Sequence, residues 1–160
     1  MTQATLIAET HEAGAPVTSR TGLARFMRRI CIETGADRYM LVEPSVERGT
    51  KSVKIITSNW VFDALEDLGS EGIARIIESR ASVSAGMSAQ TMNHANAGIL
   101  SAEERRALRD HGHAELHCRK IVADGATVHA LFSAEEVGKI DCRALARAHM
   151  RCGYALAQFF

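Results

Sequence analysis

The sequence has no excess of charge of either sign. Lys and Arg together number 19, and Asp and Glu together also number 19, so the formal net charge at neutral pH is zero. A domain that holds nucleic acid by itself normally shows a basic excess or a strong basic patch. The neutral balance therefore argues against DNA binding by this chain.

Long apolar runs and a secretion signal are also missing. No apolar run approaches the roughly 18 residues that a membrane-spanning helix needs. Residues 1–17 contain no Lys or Arg, and they include no hydrophobic stretch of the kind found in signal peptides. We therefore expect a cytoplasmic protein without a membrane partner.

Paired cysteines and nucleotide-binding glycine motifs are absent as well. The four cysteines form no C-x-x-C pair and lie in apolar or amphipathic segments: Cys31, Cys118, Cys142 and Cys152. We expect reduced thiols that pack as small hydrophobic residues. Neither G-x-G-x-x-G nor G-x-x-x-x-G-K-S/T occurs, which argues against a Rossmann-type or P-loop site. We expect no cofactor.

The length of the chain fits one domain. A domain of this length buries roughly 70% of the surface that its unfolded chain exposes, so it needs neither a metal nor a disulfide to fold. We predict a flexible segment over residues 1–17 and a single domain over residues 18–160.

Apolar residues at spacings of three and four predict the helices. The first helix is expected over 20–34, ended by Gly35 in the left-handed conformation. A second begins at Trp60 after a cap by Ser58 or Asn59 and stops at Gly69. The remaining helices are predicted from Ser70, over 101–111 after an S-x-x-E capping box, and over 140–160. Residues 81–98 lose all periodicity, which is typical of a disordered stretch or a functional lid.

Two pairs of strands complete the pattern. Residues 39–42 and 53–57 are predicted to form a hairpin, with a turn supplied by Pro44 and residues 47–50. Residues 114–123 and 126–133 form a second hairpin across Asp124-Gly125, a strong hairpin signal. Adjacent hairpins with helices grouped around them predict an antiparallel sheet in an α+β domain.

The last predicted helix carries an apolar seam at alternating spacings of three and four, typical of a heptad pattern. The seam consists of Cys142, Leu145, His149, Cys152, Leu156 and Phe159. It either covers the domain's own sheet or pairs with a partner and relays a signal. The helix is still apolar where the sequence ends at Phe160, so we expect the natural protein to continue.

The candidates for catalytic chemistry are weak. His111, His113, His117 and Cys118 cluster in sequence, but His113 and His117 on one strand would lie ~13 Å apart, too far for one ion. We expect surface or capping histidines rather than a metal site. Cys118 is expected to be an inert strand cysteine. No pair of carboxylates indicates acid–base catalysis, so we expect no catalytic residues.

Aromatic residues after the first hairpin are stronger candidates for a binding site. Trp60 is the only tryptophan, and Tyr39 and Phe62 lie near it in the predicted order of elements. Such residues either fill the core or form one wall of a concave, mostly apolar pocket between sheet and helices.

Taken together, these segments resemble the autoinducer-binding domain of LuxR-type transcriptional regulators, and within that group the rhizobial motility regulators. The resemblance covers about residues 20–160. It rests on the order of the elements and on Trp60-Val61-Phe62-Asp63-Ala64, on Leu100-Ser101-Ala102-Glu103-Glu104 with Leu108, His111 and Gly112, and on the Asp124-Gly125 hairpin ending Ala130-Leu131-Phe132-Ser133.

The resemblance implies an α-β-α sandwich with a central antiparallel sheet and a ligand pocket on one side of it. It also implies dimerisation, and DNA binding through a C-terminal helix-turn-helix domain outside these residues. It implies that the indole N–H of Trp60 donates to a lactone carbonyl. The ligand-lining residues would be Trp60, Tyr39, Ile56, Ala64, Ile73 and Ser133. The dimer and signalling helix would present Leu145, His149, Cys152, Leu156 and Phe159.

This sequence departs from the family pattern at several of its positions. Ala64 stands where the family has Tyr, and no Asp occurs near Ile73, where the family has Asp-Pro. There is no second Trp, and the third strand reads Ala114-Glu115-Leu116-His117 in place of the Gly…Pro pattern. Without the carboxylate, the amide N–H of an acyl-homoserine lactone would be buried and unpaired. We therefore expect a different small-molecule ligand or none.

We predict a sensing or dimerisation domain of a LuxR-type regulator that is not an enzyme and forms a homodimer or heterodimer. Three alternatives stay open. They are a ligand-free protein-interaction module, a GAF- or PAS-like sensor with another output, and a metal-dependent enzyme built on His111, His113 and Cys118.

Overall fold

A computed structural model describes residues 19–81, 101–123, 125–157 and 159 of the chain. The predicted flexible segment 1–17 and the predicted unpatterned stretch beyond residue 81 lie outside the described residues. The described elements, in chain order, are α1 (Arg20–Thr34), β1 (Arg38–Glu47), β2 (Thr50–Ser58), α2 (Phe62–Ala81), α3 (Ala102–Asp110), β3 (Glu115–Ala123), β4 (Ala126–Ala134) and α4 (Cys142–Leu156).

The four strands form one antiparallel sheet in the order β2-β1-β4-β3. The inner strands of the two hairpins pair with each other, so that Tyr39 lies opposite Phe132 and Val42 lies opposite His129. Helices cover both faces of the sheet. The predicted α+β fold, an α-β-α sandwich with a central antiparallel sheet, is confirmed.

Both predicted hairpins form, and the first has longer strands than its apolar runs indicated. Its turn is made by Arg48 and Gly49, both with positive φ. Pro44 belongs to β1 rather than to the turn, which corrects the prediction. It lies beyond Val42, the last residue of β1 that pairs with β4, where a proline without an N–H does not interrupt that ladder.

One face of the sheet packs against α1 and α4. The apolar side chains of α1 that were predicted from their spacing are all buried there: Leu23, Phe26, Met27, Ile30 and Cys31. They meet Tyr39 and Leu41 of β1 and Phe132 of β4. Gly35 ends α1 at φ 82°, and a Cβ on it would lie 2.3 Å from the carbonyl oxygen of Lys139, so only glycine fits where α1 meets the start of α4.

The opposite face packs against α2 and α3. Met40, Val42 and Leu131 of the sheet meet the apolar side of the two helices, which consists of Leu68, Ile73, Ile76, Ile77, Ala107 and Leu108. The predicted capping box is present at the start of α3. The Ser101 hydroxyl accepts from the backbone N–H of Glu104, whose carboxylate accepts from the N–H of Ser101.

The segment that leads into α2 differs from the prediction. The helix begins at Phe62 rather than Trp60. Asn59 does not cap it, because its side-chain oxygen accepts from the N–H of Tyr39 at 2.7 Å. The predicted break at Gly69 is confirmed as a non-helical residue (φ 67°, ψ 170°) within α2.

The apolar seam of α4 is turned towards the molecule's own sheet. Leu145, Cys152 and Leu156 are fully buried in the core that α4 shares with α1. Phe159 packs against the same core, and Nε2 of His149 donates to the backbone carbonyl oxygen of Lys120 in β3 at 2.8 Å. The interpretation that the seam covers the sheet is confirmed, and these residues do not form an exposed pairing surface.

Cys142 is exposed and does not belong to the buried seam, which corrects that part of the pattern. All four cysteines are free thiols. Within the described ranges, no helix combines the length and the apolar character that crossing a bilayer requires.

Candidate functional site

Trp60 lies against the α2–α3 face of the sheet, where the chain leaves β2. Its backbone N–H donates to the hydroxyl of Ser58 at 3.0 Å, which holds the residue in a tight turn before α2. The indole is 5% exposed and packs in the same core as Met40 and Leu131. The only tryptophan of the chain therefore belongs to the core that separates the sheet from α2 and α3.

The Trp60 indole stacks on the imidazole of His113. The ring centroids are 3.9 Å apart and the planes differ by 26°. His113 follows α3, and its backbone N–H donates to the carbonyl oxygen of Leu108 at 2.8 Å. The stacked pair thus joins the end of the first hairpin to the loop between α3 and β3.

Ser133 holds the imidazole from the sheet. Its hydroxyl oxygen lies 2.8 Å from Nδ1 of His113, and both residues are 1% exposed. Burial, reinforced by the positive charge of Arg38 and by His111, lowers the pKa of His113 to about 4. The ring is therefore neutral at physiological pH, because a charged imidazole would lose its hydration here.

Two ring nitrogens of this cluster are buried without a hydrogen-bond partner in the described part of the chain. They are Nε1 of Trp60 and Nε2 of His113. An unpaired buried polar atom costs about 1–3 kcal/mol, and native proteins contain few of them. Two such atoms on stacked rings mark the place where this core is ready to accept a hydrogen bond from, or donate one to, another molecule.

The structure divides the predicted ligand-lining residues between two faces of the sheet. Trp60, Ile73 and Ser133 lie on the α2–α3 side, and Ala64 is buried in α2. Tyr39 and Ile56 lie in the core on the α1–α4 side. They cannot line one pocket with Trp60, because neighbouring residues of a strand point to opposite faces.

Core side chains of the described residues pack around the place where a pocket near Trp60 was expected. Met40, Ile76, Leu116 and Leu131 are fully buried between the sheet and the two helices. Phe62, also singled out in the sequence, is 71% exposed on the outside of α2. Of the predicted aromatic group, only Trp60 contributes to this cluster.

A groove is present at the other end of the same face, near the tips of the two hairpins. Its volume is about 350 Å³, at the lower end of the range for small-molecule sites. Pro44, Val53, Ala74 and Ile77 form apolar walls, and the polar groups at its edge come from Lys51, Glu78, Lys120, Thr127 and His129. Sequence analysis did not predict this groove, because its residues come from four strands and a helix.

The predicted surface histidines include two that are buried, which corrects the prediction. His113 stacks on Trp60, and His117 is fully buried with its Nε2 2.7 Å from a carboxylate oxygen of Glu115. The other carboxylate oxygen of Glu115 accepts from the backbone N–H of Gly138 at 2.6 Å. This pair therefore ties β3 to the loop before α4 and has a structural explanation.

The remaining candidates do not converge on a catalytic arrangement. Cys118 has its sulfur 3.9 Å from Nδ1 of His129 across neighbouring strands. His111 bonds Asp67 through Nε2 at 2.8 Å, away from Cys118. Among the described residues, no group of three or more His, Cys, Asp or Glu side chains is arranged to hold a metal ion.

Sequence analysis missed His113 as a member of the candidate site. Its position between the helix-ending Gly112 and the apolar strand β3 was the available signal. The comparisons with known proteins add no further guidance: neither a protein-family model nor a curated protein sequence matches the chain.

Proposed function

We propose that this chain is the sensing domain of a regulatory protein of the LuxR type and that its ligand contacts Trp60 and His113. The observation that carries the proposal is the stacked pair of buried rings whose nitrogens Nε1 and Nε2 have no partner within the described residues. The sequence resemblance independently assigns the indole N–H of Trp60 to a ligand carbonyl.

The chemistry of the cluster favours a small neutral ligand with a carbonyl or ether oxygen. The indole N–H of Trp60 can only donate. Neutral His113 carries one N–H. If its Nδ1 donates to the Ser133 hydroxyl, Nε2 is an acceptor; if Nδ1 accepts from that hydroxyl, Nε2 is a donor. The positive charge that reaches the cluster is that of Arg38, whose guanidinium donates to the carbonyl oxygen of Asn59 at 3.1 Å, so a neutral lactone, ester or ketone is proposed in preference to a carboxylate.

The position of the cluster supports a regulatory role. It touches the end of β2, the end of β4 and the loop after α3, so a ligand there alters the packing of two helices against the sheet. DNA binding, dimerisation and the identity of the output belong to the proposal as consequences of the resemblance, with DNA contact made by a domain outside these residues.

The test uses the single tryptophan. Titration with γ-butyrolactone, a cyclic ester, is expected to shift the emission of Trp60, and native mass spectrometry of the chain purified from its source cells is expected to show a small-molecule adduct. Trp60→Phe keeps a ring on His113 but removes the N–H donor, and it should lose the adduct. Phe62→Ala, two residues away and exposed, is the matched control and should keep it. An unshifted emission together with an adduct-free mass spectrum would overturn the proposal.

A second candidate, a ligand-free interaction module, is favoured by one observation. The side chains of Met40, Leu116 and Leu131 fill the space between the sheet and its helices. In that case Trp60→Phe should leave partner binding unchanged, and the native mass spectrum should show only the mass of the chain and its assemblies.

A further inference from the structure

The neutral net charge of the chain conceals two surface patches of opposite charge, one in each helical layer. In the α1–α4 layer, residues 20–34 and 142–156 contain seven arginines and one glutamate. In the opposite layer, residues 59–74 contain four carboxylates and neither Lys nor Arg. The sheet separates the two sets, because α1 and α4 cover one face and α2 covers the other.

The basic layer presents an outward surface that combines arginines with large apolar side chains. On α4 its members follow a spacing of four, three and four, opposite the buried seam. Met150 and Tyr154 are 81% and 66% exposed, and Ile32 of α1 is 79% exposed. We define the arginine face as Arg28, Ile32, Arg143, Arg147, Met150 and Tyr154.

The arginine face spans two neighbouring helices, because α1 and α4 pack side by side. Arg151 on the flank of α4 forms a two-pronged ion pair with Glu33 of α1, one of whose bonds measures 3.2 Å. That pairing uses the one carboxylate of the two helices. Arg28, Arg143 and Arg147 are exposed and have no ion-pair partner among the described residues.

The start of α2 presents the complementary chemistry. We define the acidic face as Phe62, Asp63, Glu66 and Asp67, all exposed, with Phe62 projecting among the carboxylates. Asp67 reaches His111, while Asp63 and Glu66 have no ion-pair partner in the described ranges. An exposed ring surrounded by carboxylates matches exposed Met and Tyr side chains surrounded by guanidinium groups.

We propose that the arginine face of one copy of this chain docks on the acidic face of a second copy, so that copies associate head to tail. Arg, Tyr and Met are the residue types that protein interfaces concentrate, and a ring at the centre of a charged rim is a common anchor. A twofold pairing of two arginine faces is disfavoured, because it sets Arg143 and Arg147 against their own copies.

This association does not depend on the proposed ligand site. Its two surfaces differ, so the contact is heterologous and leads to chains or closed rings of copies rather than to a simple pair. Its charged rim makes it sensitive to salt, since surface charges are screened beyond about 8 Å at physiological ionic strength.

The experiment is sedimentation velocity of the full chain at about 50 mM and about 500 mM NaCl. We expect concentration-dependent assemblies at low salt that dissociate at high salt. Arg143→Glu/Arg147→Glu breaks the arginine face, and Phe62→Ala/Glu66→Lys breaks the acidic face. Each should weaken association by at least about tenfold. Arg48→Glu/Lys54→Glu, at exposed positions of the first hairpin outside both faces, makes the same change in charge elsewhere and should still associate.

Mixing the two broken variants gives the decisive result. Each retains one intact face, so an equimolar mixture should form a complex of two chains and grow no further. Near-ultraviolet circular dichroism verifies that each variant is folded. A wild-type chain that stays monomeric at low salt overturns the proposal. A mixture of the two variants that fails to pair also overturns it. The same holds if the arginine face binds duplex DNA or anionic vesicles but not a second copy of the chain.

Discussion

The guanidinium of Arg75 in α2 grips the carboxylate of Glu104 in α3, with Nε 2.9 Å and 3.0 Å from the two carboxylate oxygens. The same carboxylate accepts from the backbone N–H of Ser101 in the capping box. Glu104 is buried, whereas Arg75 is half-exposed. The Glu104 side chain therefore both caps the start of α3 and links α3 to α2 through an ion pair.

Glu104→Gln should lower the free energy of unfolding by about 1–3 kcal/mol at pH 7, because it removes the charge that Arg75 pairs with. Glutamine still serves in a capping box, so the loss reports the ion pair. Glu103→Gln, the exposed neighbour, should change the free energy by less than about 0.5 kcal/mol. Urea unfolding of the three proteins measures both differences.

The same ion pair gives a pH dependence with a defined sign. Burial alone would raise the pKa of Glu104, but the hydrogen bonds from Arg75 and Ser101 outweigh it and hold the pKa below its ordinary value. Its stabilisation is present above about pH 4.3, the pKa in an unfolded chain, and is lost as pH falls through the folded value. The difference in the free energy of unfolding between the wild type and Glu104→Gln should become smaller in acid. A difference that stays constant with pH would contradict this account.

Gly72 and Gly153 should respond to alanine in opposite ways. A Cβ on Gly72 would lie 2.9 Å from a carboxylate oxygen of Glu104, which Arg75 keeps in place, whereas a Cβ on Gly153 meets nothing within 4 Å. Gly153→Ala should stabilise α4 by about 0.5–1 kcal/mol through helix propensity. Gly72→Ala should destabilise, because overpacking costs about 1–3 kcal/mol. Thermal and urea unfolding distinguish the two signs.

His113 should make the chain less stable in weak acid. The pKa of His113 in the folded chain, about 4, lies below the ordinary value of 6.5. Between these two values the unfolded chain binds a proton on this residue and the folded chain does not. The contribution of neutral His113 to the free energy of unfolding is fully present above about pH 6.5. It is lost as pH drops towards 4, and the whole loss amounts to at most about 3 kcal/mol.

His113→Phe keeps a ring against Trp60 and removes the titrating group. Urea unfolding from pH 7.5 to pH 4.5 should show a shallower loss of stability for this variant than for the wild type. Parallel curves would mean that protonation of His113 does not oppose folding, and the neutral ring assigned to the candidate site would be wrong.

The four cysteines should differ sharply in reactivity. Burial is the main cause that raises the pKa of Cys31 and of Cys152 to about 12, so almost no thiolate is present at pH 8. Cys142 is exposed. Iodoacetamide should alkylate Cys142 within minutes and leave Cys31 and Cys152 unmodified until urea is added, as peptide mass mapping would show. Rapid native alkylation of Cys152 would indicate that α4 detaches from the core.

Much of the fold was predictable because its signals are local. The spacing of Leu23, Phe26 and Met27 specifies a helix that can bury one side. The capping box at Ser101 places a helix start by bonds within four residues. The predicted strands of the first hairpin were too short. Arg38, Glu47 and Thr50 continue its ladders with polar side chains, and a search for apolar residues does not detect them.

The candidate site was only partly predictable. Trp60 was singled out by its type and position, but His113 enters the core because Trp60 and Ser133, distant along the chain, stack on it and bond to it. Tyr39 was grouped with Trp60 from the order of elements, and the pleat of β1 sends it to the other face. Sequence proximity carries no information on which side of a sheet a residue faces until the register is set.

The amino-acid sequence determined the type and order of the elements, since hydrophobic spacing, caps and turn residues act over a few positions. Packing in three dimensions determined which surface each element turned inward. The seam of α4 fits either a partner or its own sheet, and burial against β3 and β4 selected the sheet. The net charge is a sum over all residues, so it does not show where on the surface the charges lie. Only the placement of α1 beside α4, across the sheet from α2, put the arginines of α1 and α4 and the carboxylates at the start of α2 on opposite sides of the sheet.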